Sequence, residues 1–138
     1  RPLGAPGAPA STKAPSMTSC LSSLKISSKR AAAEGPCVII GRCADYVLDG
    51  TEGLIRVFLY ADIKVREERV RERNLYADKD VLKNIHRIDR ERRDYNRYYA
   101  GRDWEKPENY DLLINTTQIG VDGAVQLIKD YLKMRGLL

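Results

Sequence analysis

Three short apolar runs frame this 138-residue chain: Cys37–Ile40, Ile55–Tyr60 and Asp111–Asn115. Each is too short for a buried helix and is bounded by turn formers or polar residues, so each reads as a strand. Helical patterns lie around them. Leu21, Leu24 and Ile26 give a thin apolar stripe over residues 21–34, stopped by Gly35-Pro36. Residues 42–48 read as a short helix ended by Asp49-Gly50. Asp62 is a natural N-cap for a helix over 63–74. Asp80 opens another through Val81, Leu82, Ile85 and Ile88, closed by Gly101. A loop with Pro107 precedes the third strand. After Gly120, an amphipathic helix presents Val125, Leu127, Ile128, Tyr131 and Leu132 as its apolar face. Strands alternating with helices predict an α/β fold, a parallel sheet flanked by helices. No internal repeat is visible.

The stretch from Arg87 to Trp104 breaks the pattern. It is dense in Arg, interleaved with Asp and Tyr, and Ile88 is its only aliphatic residue of core size. On a helix, Arg90, Asp94 and Arg97 fall at i, i+4 and i+7 and point the same way. Arg93 and Arg97 are also four apart. Two guanidinium groups beside one carboxylate pack poorly but receive a phosphate and a hydrogen-bonding base or sugar well. The plainer alternative is a solvated helix laced with ion pairs.

Composition narrows the classes. The net charge is +5 and the pI about 9.2, which favours an anionic partner: nucleotide, nucleic acid or an acidic surface. Tyr95, Tyr98 and Tyr99 could form a stacking platform for nucleic acid. Cys20, Cys37 and Cys43 are odd in number, with no CxxC pair, and His86 is the only histidine. That argues against a zinc site and for free thiols in a reducing, cytoplasmic setting. No apolar run approaches the roughly 18 residues of a membrane span. Residues 1–16 are Pro, Gly, Ala and Ser with two basic residues, and residues 1–19 read as a disordered tail or linker before a domain over 20–138. A basic, acid-free leader of this kind also fits an organelle transit peptide.

The run Gly35-Pro-Cys-Val-Ile-Ile-Gly-Arg42, the strand to Tyr60 with its Arg66-x-x-Arg69 helix, and Asp89 to Arg97 leading into Tyr110–Asn115 resemble the cytidylate kinase-like family of bacterial P-loop kinases. The resemblance covers roughly residues 20–136. It implies a nucleoside monophosphate kinase fold and phosphoryl transfer from MgATP to CMP or dCMP. By that resemblance, Arg42 holds the acceptor phosphate, and Arg90 and Asp94 contact CMP. Arg97 lies near the phosphates, Arg66 and Arg69 begin a mobile lid, and Asn115 and Thr117 lie on the adenine side. No metal-ligand cluster is implied.

Two departures qualify the resemblance. The family follows Gly-Arg with Asp, whereas this chain has Cys43, leaving Asp45 as a stand-in for the lost contact. The family also opens with a strand and a Gly-rich phosphate loop, and this sequence has neither; Gly4-Ala-Pro-Gly7 lacks a Lys-Ser/Thr partner, and its proline removes an N–H donor. In the family that strand lies between those matching 37–40 and 55–60, so its loss leaves two apolar edges and favours self-association. The chain is then the C-terminal part of a longer protein, a faulty gene product or a rearranged remnant. A non-catalytic nucleotide binder and a small basic nucleic-acid module are the competing readings. The spacing of Arg42, Arg66, Arg69, Arg90, Asp94 and Arg97 favours nucleotide over nucleic acid.

Overall fold

The computed structural model describes residues 17–41 and 43–138, with side chains from residue 25 onward. The expected tail at 1–16 and Arg42 lie outside the described residues. The chain divides into two compact units, Arg1–Ile39 and Ile40–Leu138.

Among the described residues the first unit holds one helix, α1 (Met17–Glu34). It starts before the expected Leu21 and ends where Gly35, at φ 142°, adopts a backbone that a side chain disfavours. No helix among the described residues is long and apolar enough to cross a membrane.

The second unit runs α2 (Ala44–Val47), β1 (Val57–Tyr60), α3 (Ile63–Glu72), α4 (Val81–Ala100), β2 (Leu112–Asn115) and α5 (Gly120–Met134). β1 and β2 pair in parallel, with Val57 opposite Leu112 and Tyr60 opposite Asn115. Bonds from the Asp111 and Leu112 N–H groups to the Arg56 carbonyl, and from the Thr116 N–H to the Tyr60 carbonyl, extend the ladder at both ends. The parallel α/β arrangement is as expected, but only two strands are present among the described residues.

The expected strand at 37–40 does not form. Val38 is 90 % and Ile40 89 % exposed, and no backbone ladder bond joins this segment to any described residue. An apolar run becomes a strand only when a neighbour takes up its N–H and C=O groups. Periodicity reports the run, not the neighbour.

The buried apolar residues come from α2 and its flanks (Cys43, Ala44, Leu48), from α4, from β2 and from α5. Val81 is fully buried, and Ile85, Ile114 and Ala124 are nearly so. On α5 the buried stripe is Ala124, with Ile128, Tyr131 and Leu132 half-buried; Val125 and Leu127, expected on the apolar face, stay largely exposed. Gly101 closes α4 as expected. At φ 63° it takes the left-handed conformation, and its N–H donates to the Arg97 carbonyl at 3.1 Å.

Helix α3 differs from α4 and α5, because none of its residues is buried. Asp62 stands at its N-cap position but makes no side-chain cap bond. Its backbone N–H donates instead to Thr117 Oγ1 at 2.9 Å, which ties the β1–α3 turn to the loop after β2. Val65 and Val70 are half-buried, and two arginines of α3 add polar anchors.

Candidate functional site

The carboxyl ends of β1 and β2 meet at Tyr60 and Asn115, and open parallel sheets bind ligands outside such ends. Helix α3 leaves this end directly after Ala61. Arg69 donates from Nη1 to Thr116 Oγ1 (2.8 Å) and from Nη2 to the Thr116 carbonyl (2.9 Å). Thr116 is buried, and its hydroxyl also reaches the Tyr60 carbonyl at 3.2 Å. Arg66 makes a two-pronged pair with Asp89 on α4, at 2.8 and 2.7 Å. Asp89 is only 9 % exposed, so its charge requires such a partner. Asn115 and Thr117 stand at the same end. Asn115 Oδ1 accepts the Thr117 N–H at 3.0 Å, and Thr117 Oγ1 is taken by Asp62.

Two open cavities flank this region. One, of about 390 Å³, lies among Phe58, Tyr60, Arg66, Arg92 and Trp104. The other, of about 410 Å³, is walled by Arg66, Arg69, Arg73 and Arg92 over an apolar floor that includes Ala124 and Ile128. Phe58 meets Trp104 edge-on at 5.2 Å and Tyr110 at 4.9 Å, which anchors Trp104 to the sheet. No cluster of three His, Cys, Asp or Glu side chains among the described residues could hold a metal ion.

Arg90, Asp94 and Arg97 share the outward face of α4, as their spacing predicts. All three are exposed, and none has a hydrogen bond or ion pair among the described residues. The inward stripe is Val81, Ile85, Asp89 and Asn96, and the outward triplet is offset from it by one residue, or about 100°. Arg93, which also falls on the triplet's side, is engaged with Glu105 at 3.1 Å.

Asp45 is held by Arg102 in a part-buried ion pair, and the Arg102 guanidinium lies 5.8 Å from the centre of the Tyr46 ring. Its neighbour Cys43 occupies a left-handed conformation at φ 55° and is 4 % exposed. The Cys43 Sγ lies 3.5 Å from Asn96 Oδ1, linking the turn before α2 to α4. Burial, reinforced by the Asp45 charge, pushes this thiol up to about 11. The same two causes push Tyr110 up to about 12, and its hydroxyl donates to the Trp104 carbonyl at 2.6 Å. At the opposite end of the strands, Arg56 bonds Asp111 through both side chain and backbone, which holds the Asp111 carboxyl below its usual range.

Asp89, Arg92, Asn96 and Thr116 were not legible as site residues from composition. Asp89 and Asn96 did carry a signal. They continue the Val81–Ile85 stripe, and a polar residue on an apolar stripe implies a buried, partnered group. Cys37 is an exposed free thiol and Cys43 a buried one. The Cys20 side chain lies outside the described residues. His86 is exposed on α4.

Residues 13–118 match the family described as the cytidylate kinase-like family. A curated protein described as cytidylate kinase, from Pyrococcus horikoshii, is 33 % identical over 101 residues; these are 72 % of this chain and 50 % of that protein. The chain therefore spans about half the length of the curated relative it matches. A solved structure of an uncharacterized protein from Eubacterium ventriosum superposes with a TM-score of 0.73 at 26 % identity, covering 83 % of this chain and 63 % of that one.

Proposed function

We propose a function from one premise: the chain belongs to the cytidylate kinase-like family. The outward face of α4 binds a nucleoside monophosphate, CMP or dCMP, as the acceptor of a phosphoryl group from MgATP. The observation that carries this reading is the set Arg90, Asp94 and Arg97, aligned on one face with no partner among the described residues. Unpartnered guanidinium groups keep all their donors for an oxyanion. Asp94, as a carboxylate acceptor, suits the amino group of a cytosine ring.

Phosphoryl transfer asks the protein mainly for positioning and cationic stabilisation. Arg90 and Arg97 hold the acceptor's phosphate, and Asp94 orients its base. Arg66 and Arg69 fix α3 over the strand ends, where the Arg-walled cavity lies. MgATP, when bound, supplies the phosphoryl group. Magnesium of this kind is carried mostly by phosphate oxygens and water, so the chain's cationic wall fits the donor's phosphates without a carboxylate cage.

The absence of a Gly-rich phosphate loop from these 138 residues favours a second reading, in which the chain binds the acceptor but does not turn it over. Calorimetric titration with CMP, with AMP and UMP as comparators and Arg90→Ala as control, tests acceptor binding. CMP-dependent release of ADP from MgATP separates the two readings. Binding lost in the control, with turnover, supports the kinase; binding without turnover supports the second reading. If CMP does not bind the folded chain, both fail.

A further inference from the structure

Strand β1 is paired on one side only among the described residues. The Leu112 N–H donates to the Arg56 carbonyl and the Thr116 N–H to the Tyr60 carbonyl, with Val57 in register with Leu112. In a parallel ladder of that register, residues 56, 58 and 60 turn their carbonyls toward β2, and Val57 and Leu59 turn both N–H and C=O away from it. No hydrogen bond among the described residues takes up these outward groups. The strand, Val57-Phe-Leu-Tyr60, carries neither a charge nor a proline, the usual blocks on an open edge. Leu59 and Tyr60 are about half exposed, and both border both cavities. Open space therefore flanks this edge, and the alternating side chains of a further strand can enter it. Of the β2 strand residues only Leu113 borders either of these cavities, and it borders one.

The same chain carries a run that fits the edge. Cys37-Val-Ile-Ile40 is as long as β1, uncharged and β-branched at three of its four positions. It makes no ladder bond, and Val38 and Ile40 are almost fully exposed. Gly35 at φ 142° and Gly41 at φ 71° bracket it, so the chain enters and leaves through backbone conformations that side chains disfavour.

We propose that the chain forms a two-fold dimer in which residues 37–40 of each copy add as a strand to the open edge of β1 in the other. The argument for a second copy is complementarity between two unsatisfied features of one sequence. The edge has outward N–H and C=O groups and no strand; the run is an uncharged strand former and has no ladder. The exchange is reciprocal, so the same contact occurs twice and the assembly closes. It covers Val38, Ile40, Leu59 and Tyr60 in each copy. The proposal goes beyond the kinase reading and does not depend on it.

Sedimentation equilibrium of the 138-residue chain tests it, and a dimer is expected. Leu59→Pro removes an N–H that β2 does not use, and Leu59→Lys charges the same edge should the proline variant not fold. Val38→Lys with Ile40→Lys charges the run. The edge change and the run change should each weaken the dimer about tenfold or more, while circular dichroism shows the fold retained. Amide exchange gives a second readout. Val57 and Leu59 should exchange slowly in the dimer and fast in the run variant, with Phe58 and Tyr60 slow in both. A chain that is monomeric at about 100 μM overturns the proposal, since a dissociation constant of micromolar order would make it mostly dimer. So does a dimer that the edge changes abolish but the run changes spare, which would mean that two β1 edges pair with each other. A dimer abolished by the run changes alone would place the run elsewhere on the partner, and overturns it equally.

Discussion

Helices α3 and α4 are both rich in arginine, yet they use it in opposite ways. On α3 the arginines are structural: Arg66 and Arg69 reach back to Asp89 and Thr116 and hold a helix that has no buried residue of its own. On α4 an apolar stripe does the holding, through Val81 and Ile85, and Arg90 and Arg97 are left facing outward. The fate of an arginine here follows from what else anchors its helix. Where apolar contacts anchor the helix, some guanidinium groups, those of Arg90 and Arg97, stay unpaired among the described residues; where they do not, Arg66 and Arg69 become fold elements.

The largest test of this contrast is Arg66→Ala. It strands Asp89, whose side chain is 12 % exposed, without a close partner. The expected loss is about 3 kcal/mol, read as a lower midpoint in urea unfolding. Adding Asp89→Leu should recover much of that loss, because an apolar pair of similar volume removes the stranded charge. No recovery would mean that α3 is held by something other than this pair.

Arg56–Asp111 should give a smaller and pH-dependent effect. The Arg56 hydrogen bonds lower the Asp111 pKa in the folded state, so the pair stabilises at pH values above the ordinary carboxylate value near 3.9. That stability is lost as pH falls through the folded value. Asp111→Asn should therefore cost about 1–2 kcal/mol at neutral pH, allowing for partial exposure, and nothing once Asp111 itself is protonated. Unfolding curves of the two proteins that stay parallel from pH 7 to pH 2 would contradict this.

Asn96→Ala should cost less still, about 1 kcal/mol, since it removes one weak bond from the Cys43 thiol and one to the Arg92 carbonyl. The same packing protects the thiol. At pH 8, peptide-resolved alkylation of the native chain should label exposed Cys37 and spare Cys43, whose pKa burial raises to about 11. Equal labelling of the two would show that the α2 turn opens readily.

Much of this was legible in the sequence, and the failures share a cause. Helix α4, the strands at 57–60 and 112–115, the Gly101 cap and the alignment of Arg90, Asp94 and Arg97 all follow from local periodicity. The strand at 37–40 failed because a strand needs a neighbour, and no local pattern reports one. Arg66 and Arg69 read as lid residues by resemblance alone; spacing gives their shared face on α3, but not that Asp89 and Thr116 lie across from it. Asp45 read as a stand-in for the family's acidic contact, and no local pattern reports that Arg102, 57 residues away in sequence, pairs with it. Side-chain direction is encoded locally; which side chain is already engaged depends on contacts made across the fold.

The smallest expected effect on stability is the sharpest test of the contrast. Arg97 has no partner among the described residues, so Arg97→Gln should leave the melting temperature unchanged to within about 1 °C. Its guanidinium is exposed on a helix whose C-terminus is closed by Gly101, and a nearby cation there gains only a few tenths of a kcal/mol from the helix dipole. The same change should weaken CMP binding about tenfold or more, because a phosphate loses a charged fork that water does not replace. Arg66→Ala should show the converse: a large loss of stability and, below its melting temperature, a smaller loss of affinity. If Arg97→Gln instead destabilised the fold and left binding intact, the outward face of α4 would be a structural surface. The division between holding and receiving arginines would then be wrong at its central residue.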